Sequence, residues 1–268
     1  MFFNIFNKKP LLNPATTEWL FETFAWAIEN FGTYTFYQDT ILVTPTHKHF
    51  PLKIEQLHEY EIALKTLEMV KKYAMIQNWP CELVVQEPDV ELQLAETLII
   101  ESPTAGTAGT FSHSEGKYVI TYNPKILKNS ENMVATFAHE LAHYLSYNSP
   151  LPPLGREYLE HATDLLAVYM GFGVFLANTA FSFQQYNNVY SQGWTVCNQG
   201  YLSQYELTYA LAIFCTLKNI SNPEVEKHLK KSLCSFYKKA VKEISDKSDI
   251  DRLKSINKGM KDVRLLSH

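Results

Sequence analysis

The stretch "ATFAHELAHYLSY" at 135–147 sets two histidines and a glutamate inside an otherwise uncharged, largely apolar run, and any fold of this chain must house them. At roughly 100° per residue, His139 and His143 project about 40° apart on a helix. Glu140 lies beside them, with Asn132, Thr136 and Tyr147 on the same side and Val134, Phe137, Leu141 and Leu145 on the other. Such a helix buries one face in a core and presents an imidazole pair from the opposite face. Two imidazole nitrogens one turn apart reach a single Zn²⁺, and the neighbouring carboxylate is left free to act on a water at the metal.

Two histidines do not complete a tetrahedral site, which needs a third protein ligand and an open fourth position. The longer metzincin pattern requires glycine at 146 and histidine at 149, where this chain has Ser146 and Ser149, so that class is excluded. After the break imposed by "SPLPPLG" at 149–155, the next helix carries "EYLEHATDLLAVYMG", with Glu160 and Asp164 one turn apart. Ala167 and Gly171 continue their stripe and suit a close approach of the second helix to the first. His161 and Glu157 compete with Glu160 as third ligand, and the Asp164 partner favours Glu160.

"HELAH" at 139–143 followed by "EHATD" at 160–164 resembles the HExxH…ExxxD arrangement of the gluzincin zinc metallopeptidases, particularly their compact intracellular members. The resemblance covers roughly 82–175. It implies a zinc-dependent metallopeptidase with His139, His143 and Glu160 as ligands, Asp164 holding the far nitrogen of His139, and Glu140 as general base. The implied substrate is a peptide or protein. The strand "KYVITY" at 117–122 reads either as the edge along which such enzymes lay an extended peptide or as an ordinary sheet strand. These enzymes usually add a Tyr or His that steadies the oxyanion. Tyr201, Tyr205, Tyr209 and His228 are candidates by position alone. The alternative function is a catalytically silent protein of the same fold that serves as a binding or regulatory module.

Around this core the pattern is α+β: a small, mostly antiparallel sheet packed on the HExxH helix and a second ligand-bearing helix, with helical additions at both ends. The segments are 1–80 (helical), 81–180 (metal-binding core) and 181–268 (helical), forming one compact unit. "TEWLFETFAWAIENFG" reads as a core helix from Thr17 and Glu18 to Gly32, and a second helix spans roughly 53–77. "CELVVQ" and "ETLIIES" read as strands, and "TAGTAGTFS" as a glycine-bearing loop. His47 and His49 form an HxH pair in a turn, a pattern more usual on a surface than at a metal. The helix starting near Arg156 runs at least to Gly171. "SQYE" at 203–206 is a capping box, "NPEVE" puts Asn222 at a cap, and two amphipathic helices follow. Residues 181–202 read as a lid or a long connection.

The formal net charge of −4 predicts no affinity for nucleic acid or an anionic membrane. Residues 217–268 hold 13 Lys+Arg against 7 Asp+Glu, but at the helical spacing of a solvated face. The four cysteines show no CxxC pairing, and no export signal or membrane span is evident, so the expected location is cytoplasmic.

Overall fold

Asn13 accepts the Ala15 amide proton and Pro14 fills the first turn, so helix α1 (Pro14–Phe31) begins ahead of the expected Thr17 and stops at Gly32. The computed structural model describes residues 9–86, 108–114, 116–188 and 202–256. Trp19, Phe21, Phe24 and Trp26 of α1 are buried, as their apolar bulk predicts. The indole N–H groups of Trp19 and Trp26 reach across to the carbonyls of Pro153 and Pro150, each at 3.2 Å, and pin the proline-rich loop. Helix α2 (Glu59–Tyr73) falls within the span expected for it and is preceded by a short 3₁₀ turn, Ile54–Gln56.

Strands β1 (Glu82–Val85) and β3 (Lys117–Tyr122) lie where β-branched and aromatic residues predict them. Strand β2 (Gly109–Ser114) occupies the end of the segment read as a loop. "ETLIIES" lies outside the described residues. The strand order is β1-β3-β2, with β1 parallel and β2 antiparallel to β3. The sheet is therefore mixed, where a mostly antiparallel one was expected. "KYVITY" is its central strand: both of its edges are paired, which removes it as a peptide-binding edge.

The β2–β3 register also fixes where β2 directs its backbone groups. Ala108 O accepts the Asn123 amide at 3.0 Å, and Thr110 faces Thr121 and Ser112 faces Val119 in the same ladder. Alternate residues of an antiparallel pair exchange bonds, so Gly109, Phe111 and His113 turn their N–H and C=O groups outward, away from β3. Among the described residues no strand pairs with that edge.

Helix α3 (Ser130–Ser146) carries the HExxH residues and is capped by Asn129, whose side chain accepts from the Glu131 and Asn132 amides. It packs against α2, β2 and the two helices that follow, α4 (Leu159–Ala167) and α5 (Gly173–Asn188). Between α4 and α5 the chain makes a π-helical turn, Val168–Phe172, in which Gly171 has φ +103°. A Cβ at Gly171 would collide with the Ile41 carbonyl oxygen, and Gly171 O accepts from Val43 N at 3.0 Å. This glycine serves contact with the 41–43 segment; it is not part of a small-residue stripe facing α3. The run from Arg156 to Ala180 is long and apolar enough to cross a membrane by composition, and its most apolar stretch is wholly buried inside the protein.

Helix α6 (Gln204–Leu217) opens with the expected capping box between Ser203 and Glu206. In α7 (Asn222–Glu226) the cap is Ser221, one residue before the predicted Asn222. Helices α8 (Lys231–Ser245) and α9 (Ser248–Ser255) are the two amphipathic helices. The result is a mostly helical α+β fold with a three-stranded sheet, and one buried cluster draws side chains from all three segments of the chain.

Candidate metal centre

Helices α3 and α4 bring three ligand atoms together. His139 Nε2 lies 3.1 Å from His143 Nε2, and Glu160 Oε2 lies 3.3 Å from the first and 3.4 Å from the second. The three atoms form a nearly equilateral triangle that could hold a metal ion. Side-chain exposure rises from 4% at His139 through 26% at His143 to 43% at Glu160, so the group opens to solvent on its Glu160 side. Among the described residues this is the group of three or more potential ligands that converges.

The hydrogen bonds behind the ring nitrogens set the tautomers. Buried Asp164 accepts from His139 Nδ1 at 2.9 Å, which turns Nε2 toward the triangle. Thr163 was not anticipated. Its hydroxyl donates to Leu159 O at 2.8 Å and so accepts from His143 Nδ1 at 3.4 Å, orienting the second imidazole in the same sense. Its position within "EHATD", beside Asp164, was the available signal. The other oxygen of Asp164 accepts the Leu202 amide at 2.9 Å and ties the ligand triangle to the approach to α6.

Charge in the metal-free centre follows from these contacts. Burial by itself opposes a charged His139, but hydrogen bonds to Asp164 and Glu160 prevail and hold its pKa well above the ordinary 6.5. Burial likewise opposes ionisation of Glu160, yet the two imidazoles bring its carboxyl well below the usual carboxylate range. Glu140 is buried against β2, with the Phe111 amide near enough to its carboxyl to favour the ionised form. Its burial raises its pKa against the pull of His139 and His143.

Comparison with family models, curated proteins and solved structures found no match. The other anticipated residues lie elsewhere. The buried Tyr209 donates its hydroxyl to Glu243 at 2.9 Å, Tyr205 packs its exposed ring on Phe236, and His228 lies near His49 and passes its carbonyl to Asn178. Tyr201 lies outside the described residues, as does 189–201 of the anticipated lid, while 181–188 continue α5. His161 turns toward the rings of Trp19 and Tyr158, and Glu157 is exposed in the 3₁₀ turn Arg156–Tyr158, so Glu160 joins the triangle and these two do not. His49 proves buried, its Nδ1 accepting the Thr44 amide at 3.0 Å, which makes it the organiser of its turn. A cluster of rings, Phe111, His113, Tyr118, Tyr144 and Tyr147, lines the far end of β2 and α3, with His113 and Tyr147 hydrogen-bonded at 3.2 Å.

Proposed function

We propose that this chain is a zinc-dependent hydrolase of the gluzincin type that cleaves peptide bonds. The observation that carries the proposal is the triangle of His139, His143 and Glu160. Ligands bound to tetrahedral zinc at about 2.0–2.1 Å stand about 3.3 Å from one another, and the edges here are 3.1, 3.3 and 3.4 Å. The three side chains would supply three corners of a tetrahedral site, with Glu160 the most exposed of them. When bound, zinc would acidify a water molecule and polarise a carbonyl oxygen.

The protein's own groups have separable tasks. Asp164 and Thr163 keep the Nδ1 protons in place so that both Nε2 lone pairs point into the triangle. Glu140, adjacent in sequence and buried among these groups, takes a proton from the attacking water on its carboxylate and returns it to the departing amine. The outward groups of Gly109 and His113 and the Phe111 carbonyl offer an extended peptide a strand to pair with, the role otherwise open to "KYVITY". The exposed lysines of α8 lie opposite buried Leu233, Tyr237, Ala240 and Ile244, as on a solvated amphipathic face.

A second reading, a metal-holding binding module without turnover, is favoured by one observation: the contacts of Tyr205, Tyr209 and His228 leave none of them at the triangle. Metal analysis combined with cleavage of a peptide library separates the two. The parent is expected to carry about one zinc per chain and to cleave, and Glu140→Gln to keep the zinc and lose cleavage by about 100-fold or more. Zinc without cleavage in the parent selects the binding module, and undiminished cleavage by Glu140→Gln removes the assigned base.

A further inference from the structure

Glu140 sits where α3 crosses β2, and how closely the two can approach is decided by Gly109. Its φ is not in the left-handed region, so conformational freedom does not explain the glycine. Space does: a Cβ there would lie 2.8 Å from Thr136 Cγ2, 3.0 Å from Thr121 O and 3.3 Å from Glu140 Cγ. The Thr136 hydroxyl is bonded to Asn132 O at 2.9 Å, which fixes the rotamer that aims its methyl at the strand. Two residues along β2, the N–H of Phe111 also turns outward, near enough to the Glu140 carboxylate to favour its ionised form.

We infer that Gly109 is a positioning residue for Glu140: by letting β2 lie directly on α3, it brings the Phe111 amide to the carboxylate and fixes where that carboxylate points. The strand edge assigned to substrate thereby also aims the base. A peptide pairing with that edge meets Glu140 at Phe111 N–H and is left with the outward groups of Gly109 and His113 and the Phe111 carbonyl. The catalytic consequence rests on the hydrolase reading. The anchoring itself does not.

Amide hydrogen exchange at Phe111 tests the anchor without any turnover. The Phe111 amide is expected to exchange about tenfold or more faster in Glu140→Ala than in the parent, and at near-parental rate in Glu140→Gln, whose amide oxygen still accepts. Gly109→Ala should also speed exchange there, hold zinc within about threefold of the parental affinity, and lower kcat about 10- to 100-fold while KM stays within about threefold. Adding Thr136→Ser, which removes the closest colliding methyl, should recover part of both losses. Equal Phe111 exchange in the parent and Glu140→Ala would overturn the anchor, and loss of zinc and kcat in step in Gly109→Ala would reduce the glycine to a packing role. Should Gly109→Ala fail to fold, the two Glu140 variants still decide the anchor. A parent that hydrolyses nothing sinks the hydrolase reading, while the exchange comparison still stands.

Discussion

Replacing Asp164 by alanine takes the acceptor from His139 Nδ1 and from the Leu202 amide at once. Metal affinity should fall by about 10- to 100-fold, read by zinc titration against a competing chelator. Asp164→Asn separates the two duties. Its oxygen can still accept from Leu202, but its amide donates toward His139 Nδ1 and favours the tautomer with a proton on Nε2, so affinity should fall while α6 keeps its tether. pH acts on the same group. Because His139 has a raised folded pKa, its stabilisation of the metal-free protein is complete below the ordinary 6.5 and is lost as pH climbs through the folded value. Glu160, with a lowered value, contributes fully above its ordinary 4.5 and loses that contribution as pH falls through the folded one. The metal-free melting temperature should therefore decline as pH climbs above the ordinary 6.5 of His139, and the increment added by zinc should grow in the same direction, since binding displaces a proton. Thermal melts with zinc or with chelator check both. His139 with His143, and Glu160 with Asp164, were legible as two helix faces from their spacing, while the meeting of those faces, with Asp164 behind His139, was what the resemblance to the HExxH…ExxxD arrangement implied. The Phe111 contact to Glu140 was not legible, because it is made by a backbone amide brought in by tertiary packing and carries no side-chain signature.

At the scale of elements, Gly171 decides the path of the chain between α4 and α5. Alanine there would combine a left-handed φ with a Cβ driven into the Ile41 carbonyl oxygen. Gly171→Ala should destabilise by about 3 kcal/mol or more, measured by equilibrium denaturant unfolding. The apolar pattern through this region reads as continuous helix, and the break was hidden because its cause, the 41–43 segment, is distant in sequence. Strand β3 was legible from its Val, Ile, Thr and Tyr residues. Its central place was not, since strand order depends on pairings between segments far apart in the chain. Strand β2, with Gly109, Ser112 and Ser114, lacks strand-forming composition; its pairing with β3 overrides local preference.

Across the whole molecule, the buried cluster joins α1, the sheet, the central helices and the C-terminal helices without passing through the ligand atoms. This differs from small zinc domains that unfold without their ion. Chelation should leave helical circular dichroism and a cooperative melt in place while lowering the melting temperature, as loss of a native-state ligand does. Disappearance of the cooperative transition on chelation would show that the metal supplies the fold as well as the chemistry. The α+β class and the solvated basic helix were readable from pattern and spacing. The mixed sheet and the tryptophan tethers to Pro150 and Pro153 were not, because each joins parts that no local window contains. Asp164 adds a constraint on redesign. With one oxygen on an imidazole and the other on the Leu202 amide, any attempt to retune this centre for a different ion by shifting that carboxylate will drag the threshold of α6 along with it. Any ion preference at this triangle and the placement of the backbone entering α6 would therefore have to change together.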